Sequence, residues 1–81
     1  MDHDLPFDIL KLHTTPLGEE RIKRNLNFER CDIDVVKLMR DMILGDSAKF
    51  IRKGKNWYIT SGGCRITVNA SSLTIITAHR I

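Results

Sequence analysis

Carboxylates are missing from the last 34 residues of this 81-residue chain: residues 48–81 hold six Lys and Arg and no Asp or Glu, a net of +6. All ten acids lie in residues 1–47 among seven Lys and Arg, a net of −3, and the halves together give the formal +3. A half without acids cannot hold magnesium or calcium through carboxylates, which excludes metal-dependent nuclease chemistry there. Paired-carboxylate glycoside hydrolysis lacks its parts for the same reason. Cysteine is scarce too. Cys31 and Cys64 are the two present, with no C-x-x-C spacing and no flanking His pair, so idle or buried thiols are expected rather than a zinc site or a disulfide. Long apolar runs are absent: Met42–Leu44 and Leu73–Ala78, the latter interrupted by two threonines, fall far short of the roughly 20 residues that span a bilayer. The start, MDHDLPFDIL, is acidic where a secretory signal needs positive charge, so the sequence reads as cytoplasmic and without a membrane partner. No P-loop, G-x-G-x-x-G or H-E-x-x-H occurs, which removes nucleotide hydrolysis, dinucleotide redox and zinc proteolysis and leaves no expected cofactor or metal.

What is present is ordinary for a small globular chain: 42% hydrophobic and 28% charged residues, enough for one domain over residues 1–81. The first half has helical spacing. Asp4–Leu12 is a short, partly helical stretch; Thr14 and Thr15 before Pro16 form a helix start, and Leu17, Ile22 and Leu26 supply one apolar stripe to about Leu26. Asp32 offers a further cap, and Val35, Val36, Leu38, Met39, Met42 and Ile43 recur as a helix over Ile33–Leu44 before Gly45. The period then changes. Lys49–Arg52, Asn56–Thr60, Cys64–Asn69 and Leu73–Ala78 are β-branched or aromatic runs separated by turn residues. The expected fold is therefore α+β, with N-terminal helices (residues 4–44) packed on one face of a C-terminal four-stranded antiparallel β-meander (residues 48–79) and the other face open. Tyr58 and Thr60 oppose Trp57 and Ile59, and Arg65, Thr67 and Asn69 oppose Ile66 and Val68. The last strand has two registers: a three-residue loop at Ala70–Ser72 puts Ile75, Thr77 and His79 with Arg65 and Thr67, whereas a two- or four-residue loop reverses them.

The side chains left for chemistry are metal-independent: His13, Arg21, Lys23, Arg24, Lys53, Lys55, Tyr58, Arg65, Thr67, Thr77 and His79. Metal-free RNA cleavage needs a base for the 2′-hydroxyl, an acid for the leaving oxygen and cations for the phosphorane, and His, Arg, Lys and hydroxyl groups can supply these. Each residue also has a plainer role. His13 can join a cap, His79 can be a solvated end, Lys53 and Lys55 can keep a turn soluble, Arg21 and Arg24 can line a solvated helix face, and Trp57, Met39 and Met42 can be core.

Two segments carry a resemblance. LHTTPLGEERIKRNL (Leu12–Leu26) and RKGKNWYITSGGCRITVNASSLTIITAHR (Arg52–Arg80) together resemble a family of small, uncharacterised bacterial proteins with an L-H-T-T start and a K-N-W-Y...I-T-V-N...I-I-T-A-H ending. More distantly, helices followed by a meander ending in I-I-T-A-H resemble the metal-independent ribonuclease fold of barnase-like, colicin D-like and RelE-like toxins. That resemblance implies a toxin-like endoribonuclease acting on RNA, with Thr77 and His79 at the end of the site and His13, Arg21, Lys55, Tyr58 and Arg65 around it. In the resulting reading His13 or His79 is acid or base, Arg21 and Arg65 hold the phosphate, and Tyr58 and Thr77 orient it. Arg24, Lys53, Lys55 and Thr67 are expected to bind the nucleic acid, and an acidic neutralising protein is the implied partner. The rival is a non-catalytic module that grips nucleic acid or an acidic protein with the same face. A third reading sets the basic strands of one copy against the acidic helices of a second, as a homodimer.

Overall fold

The computed structural model describes residues 5–27 and 34–81. After one 3₁₀ turn at Ile9–Lys11, the elements are β1 (His13–Thr14), α1 (Pro16–Asn25), α2 (Val35–Ile43), β2 (Lys49–Lys53), β3 (Asn56–Ser61), β4 (Cys64–Asn69) and β5 (Thr74–Arg80). They form a five-stranded sheet in the order β1-β5-β4-β3-β2, antiparallel except for the parallel pair β1 and β5. This corrects the expected four-stranded antiparallel meander. The last four strands run antiparallel as a meander, but a fifth, N-terminal strand joins the far side of the final one, so the sheet is mixed. Two residues are too few to show a strand periodicity, and the pairing His13 with Thr74 spans 61 positions of sequence that no local pattern reports.

Local chemistry sets the element ends. Thr15 caps α1 by accepting from the Gly18 amide at 3.0 Å, with Pro16 in the first turn where its missing N–H costs nothing. Asn27, at φ 64°, leaves α1 in the left-handed conformation that Asn tolerates. Asp34 caps α2 by accepting from the Lys37 amide at 3.1 Å. The expected cap at Asp32, the helical start at Ile33 and Cys31 lie outside the described residues. The β2–β3 turn places Gly54 at φ 62°, and the β3–β4 turn puts Gly62 and Gly63 at 57° and 76°, the positive angles that two-residue hairpins require.

Ile59, Ile66, Val68, Ile75 and Ala78 from the sheet meet Ile22 and Leu26, and Val35, Met39 and Ile43 spaced at i, i+4, i+8 on α2, in one buried cluster. Burying each of these side chains other than Ala78 is worth about 1.5–3 kcal/mol. Leu17, expected in the buried stripe of α1, is instead 55% exposed; buried Gly18 occupies that face, because the helix lies close against the Ile75 carbonyl. Phe7 packs between Phe50 and Trp57, whose ring centroids lie 6.1 and 6.0 Å from its own, and the Arg52 guanidinium sits 5.7 Å from the Trp57 centroid. Met42 and the free, half-buried Cys64 pack at the edge of the core.

The last strand combines both registers considered from sequence. The loop is four residues, Ala70–Leu73, held by Asn69 Oδ1, which accepts from the Ser71 and Ser72 amides at 3.0 Å each. Leu73 closes it at φ 57° with its side chain buried. Val68 then pairs with Ile75, which turns Ile75 into the core. A β-bulge follows: Thr67 pairs with Thr77, so one residue is skipped, and Thr77 and His79 return to the face of Thr67 and Arg65.

Candidate nucleic-acid interface

Residues directly opposite on neighbouring strands project to the same face, so the register builds the exposed face row by row. One row crosses four strands as Lys49, Thr60, Arg65 and His79. The next is Ile51, Tyr58, Thr67 and Thr77, of which Thr67, expected to bind nucleic acid, is instead buried at 8% exposure, and the third begins Lys53, Asn56 and Asn69. At the same end of the sheet as the third row, His13 pairs with Thr74. The face therefore has cations at both ends and hydroxyl groups, an aromatic ring and an isoleucine between them. No acid lies on any of its strands.

These cations are unengaged. Among the described residues no hydrogen bond or ion pair involves the side chains of Lys49, Lys53, Tyr58, Thr60, Arg65 or His79. Several basic groups elsewhere are occupied: Arg52 Nε donates to the Gly54 carbonyl at 3.0 Å, Arg80 Nη2 to the Leu26 carbonyl at 3.2 Å, Lys37 meets Asp41 at 3.4 Å and Lys23 meets Glu19 at 2.9 Å. Ile51, Lys53, Tyr58, Thr60 and Arg65 enclose an open depression of about 510 Å³ on this face.

Helix α1 forms its rim along β5. Asn25 Nδ2 donates to the Thr77 hydroxyl at 3.1 Å, and Arg21 stands one turn earlier on the same stripe of the helix. Arg24 lies further round, on the exposed side of α1, and Lys55 is in the hairpin turn, where its carbonyl accepts from the Ala70 amide at 2.8 Å.

The two histidines are not brought together. Thr74, the partner of His13, and His79 are five residues apart on β5, about 16 Å along a strand. Both ring nitrogens of His13 are already used. Nδ1 is 2.9 Å from the Lys11 carbonyl, which can only accept, so Nδ1 donates; in the neutral ring Nε2 then accepts from the Thr74 hydroxyl at 3.0 Å. The Thr74 hydroxyl is in turn 2.7 Å from that of Ser72. His13 thus ties β1 to β5, whereas His79 stands opposite Arg65 in the basic row.

Sequence reasoning missed Asn25, Lys49 and Ile51 as members of this surface. Lys49 and Ile51 alternate with Phe50 and Arg52, and that period-2 pattern was the available signal. Asn25 had none, because its place beside Thr77 depends on the bulge.

A model of one protein family matches residues 8–79, nearly the whole chain. The chain belongs to the DUF3781 family. That family is described as "Protein of unknown function (DUF3781)". The match covers the first of the segments that carried the resemblance to a small, uncharacterised protein family and all of the second except Arg80. No curated protein and no solved structure matches the chain. Among the described residues, no helix is long and apolar enough to cross a membrane.

Proposed function

We propose that this protein binds nucleic acid, RNA above all, through the open face of its sheet without cleaving it. The observation that carries this reading is the set of unengaged Lys49, Lys53 and Arg65 side chains around Tyr58 on strands that bear no carboxylate. Cations with no internal partner and no nearby acid attract a polyphosphate and release its counterions on binding. The Thr60 hydroxyl and the Asn56 amide add neutral hydrogen-bonding capacity between the charges.

Cleavage asks more of the site. The metal-independent ribonuclease chemistry expected from the sequence calls for an acid and a base around one phosphate. His79 has Arg65 beside it, but the second histidine is bonded at the other end of β5. Binding needs no such pair, and it is the function this geometry supports best.

The test uses the purified chain and a labelled unstructured RNA. Binding by fluorescence anisotropy is expected, with full-length RNA recovered after prolonged incubation. The double variant Lys53→Glu, Arg65→Glu is expected to lower affinity by about tenfold or more. Accumulation of RNA fragments that His79→Ala abolishes would replace this reading with the catalytic one, and no binding at low salt would end both.

A further inference from the structure

We propose that the depression around Tyr58 is a single-nucleotide subsite, in which one base splayed out of a single strand stacks on the Tyr58 ring while its flanking phosphates face Arg65 and Lys53. This rests on the nucleic-acid reading of the face and specifies what that face selects. Tyr58 is the one aromatic residue on the exposed side of the strands; Trp57 and Phe50 point into the opposite layer with Phe7. Ile51 lies directly across from Tyr58 and is 61% exposed, so ring and aliphatic wall form a small apolar floor open to solvent. Lys53 and Arg65 stand diagonal to Tyr58 on the two neighbouring strands, in opposite directions along the sheet. Thr60, diagonal to Ile51, offers a hydroxyl to a base edge. About 510 Å³ of open space lies above these five residues.

An apolar, aromatic floor with a cation on either side fits a planar base between two phosphates. A duplex keeps its bases stacked inside, out of reach of a half-buried ring, so the subsite selects single strands. A lone nucleotide brings the base but not the second phosphate, and it is expected to bind more weakly than a strand.

The experiment compares wild-type protein, Tyr58→Phe and Tyr58→Ala against a short single-stranded RNA, its blunt duplex and a nucleoside monophosphate. Each variant is checked for a native circular dichroism spectrum and melting transition. Tyr58→Phe keeps the stacking surface and is expected to bind like wild type, whereas Tyr58→Ala is expected to lose about tenfold in affinity for the strand. Should Tyr58→Ala not fold, the Tyr58 ring-proton resonances of wild-type protein provide the readout, and the strand is expected to shift them upfield. Equal affinity for strand and duplex, equal affinity for the free nucleotide, or an unaffected Tyr58→Ala would overturn the subsite. If the Lys53 and Arg65 reversal still weakened binding in that case, the broader reading of the face would stand; no binding of any RNA by wild type would remove both.

Discussion

His13 shows how a residue type can suggest chemistry that its partners assign elsewhere. Its Nδ1 donates to the Lys11 carbonyl and its Nε2 is hydrogen-bonded to the Thr74 hydroxyl at 3.0 Å, which places it among the bonds joining the shortest strand to the sheet. His13→Ala is therefore expected to cost about 1 kcal/mol in urea unfolding, the scale of a net exposed hydrogen bond, while leaving RNA affinity within about twofold. A large loss of affinity without loss of stability would return His13 to the binding site. The tie between β1 and β5 was outside what the sequence could show, since His-Thr-Thr-Pro reads equally well as a helix start. Buried Ser61 has a similar structural use: its hydroxyl donates to the Met42 carbonyl at 2.7 Å, near the end of α2, and joins that helix to β3.

Helix α1 is set against β5 more closely than a β-carbon at position 18 permits. A β-carbon added to Gly18 would collide with Thr14 Oγ1 and come within 3.2 Å of the Ile75 carbonyl, to which the same Thr14 hydroxyl donates at 2.8 Å. Gly18→Ala removes a helix penalty of about 1 kcal/mol yet is expected to destabilise the fold by about 1–2 kcal/mol net, because the backbone must move away from the strand. Denaturant melts give the sign; a more stable Gly18→Ala protein would show that the contact yields freely. Much of the secondary structure was legible at this level. Pro16 and Gly45 bracketed the helical half, and Gly54 and Gly62-Gly63 marked two hairpins by the angles only glycine adopts cheaply. The position of the last strand was not, because Leu73 in a left-handed conformation lengthens the loop and the bulge then reverses that change for Thr77 and His79. Those are local backbone departures set by the burial of Leu73 and Ile75, and the sequence pattern does not record them.

At the scale of the whole molecule, charge and layers coincide. The described acids lie on the helices and the segments flanking them, where Glu19 and Asp41 pair with lysines of their own helices, and the sheet carries only cations. The alternation of Tyr58, Thr60 and Arg65 foretold which side of the central strands lies away from the core, although Thr67 on that side is buried, and the acid-free second half foretold its sign. The separation of His13 from His79 required the parallel β1 pairing, and it is what supports proposing binding over cleavage. The most direct test of that reading is the salt dependence of affinity for a single-stranded RNA, measured for wild type, the double variant Lys53→Gln, Arg65→Gln and the control Lys37→Gln, whose lysine lies on α2 beside Asp41. Three or four phosphate contacts predict a slope of log affinity against log salt of about −2 to −3 for wild type and for the control, and about 1.4 shallower for the double variant. A slope near zero, or the same slope in the double variant as in wild type, would contradict the assignment of the basic sheet face to nucleic acid.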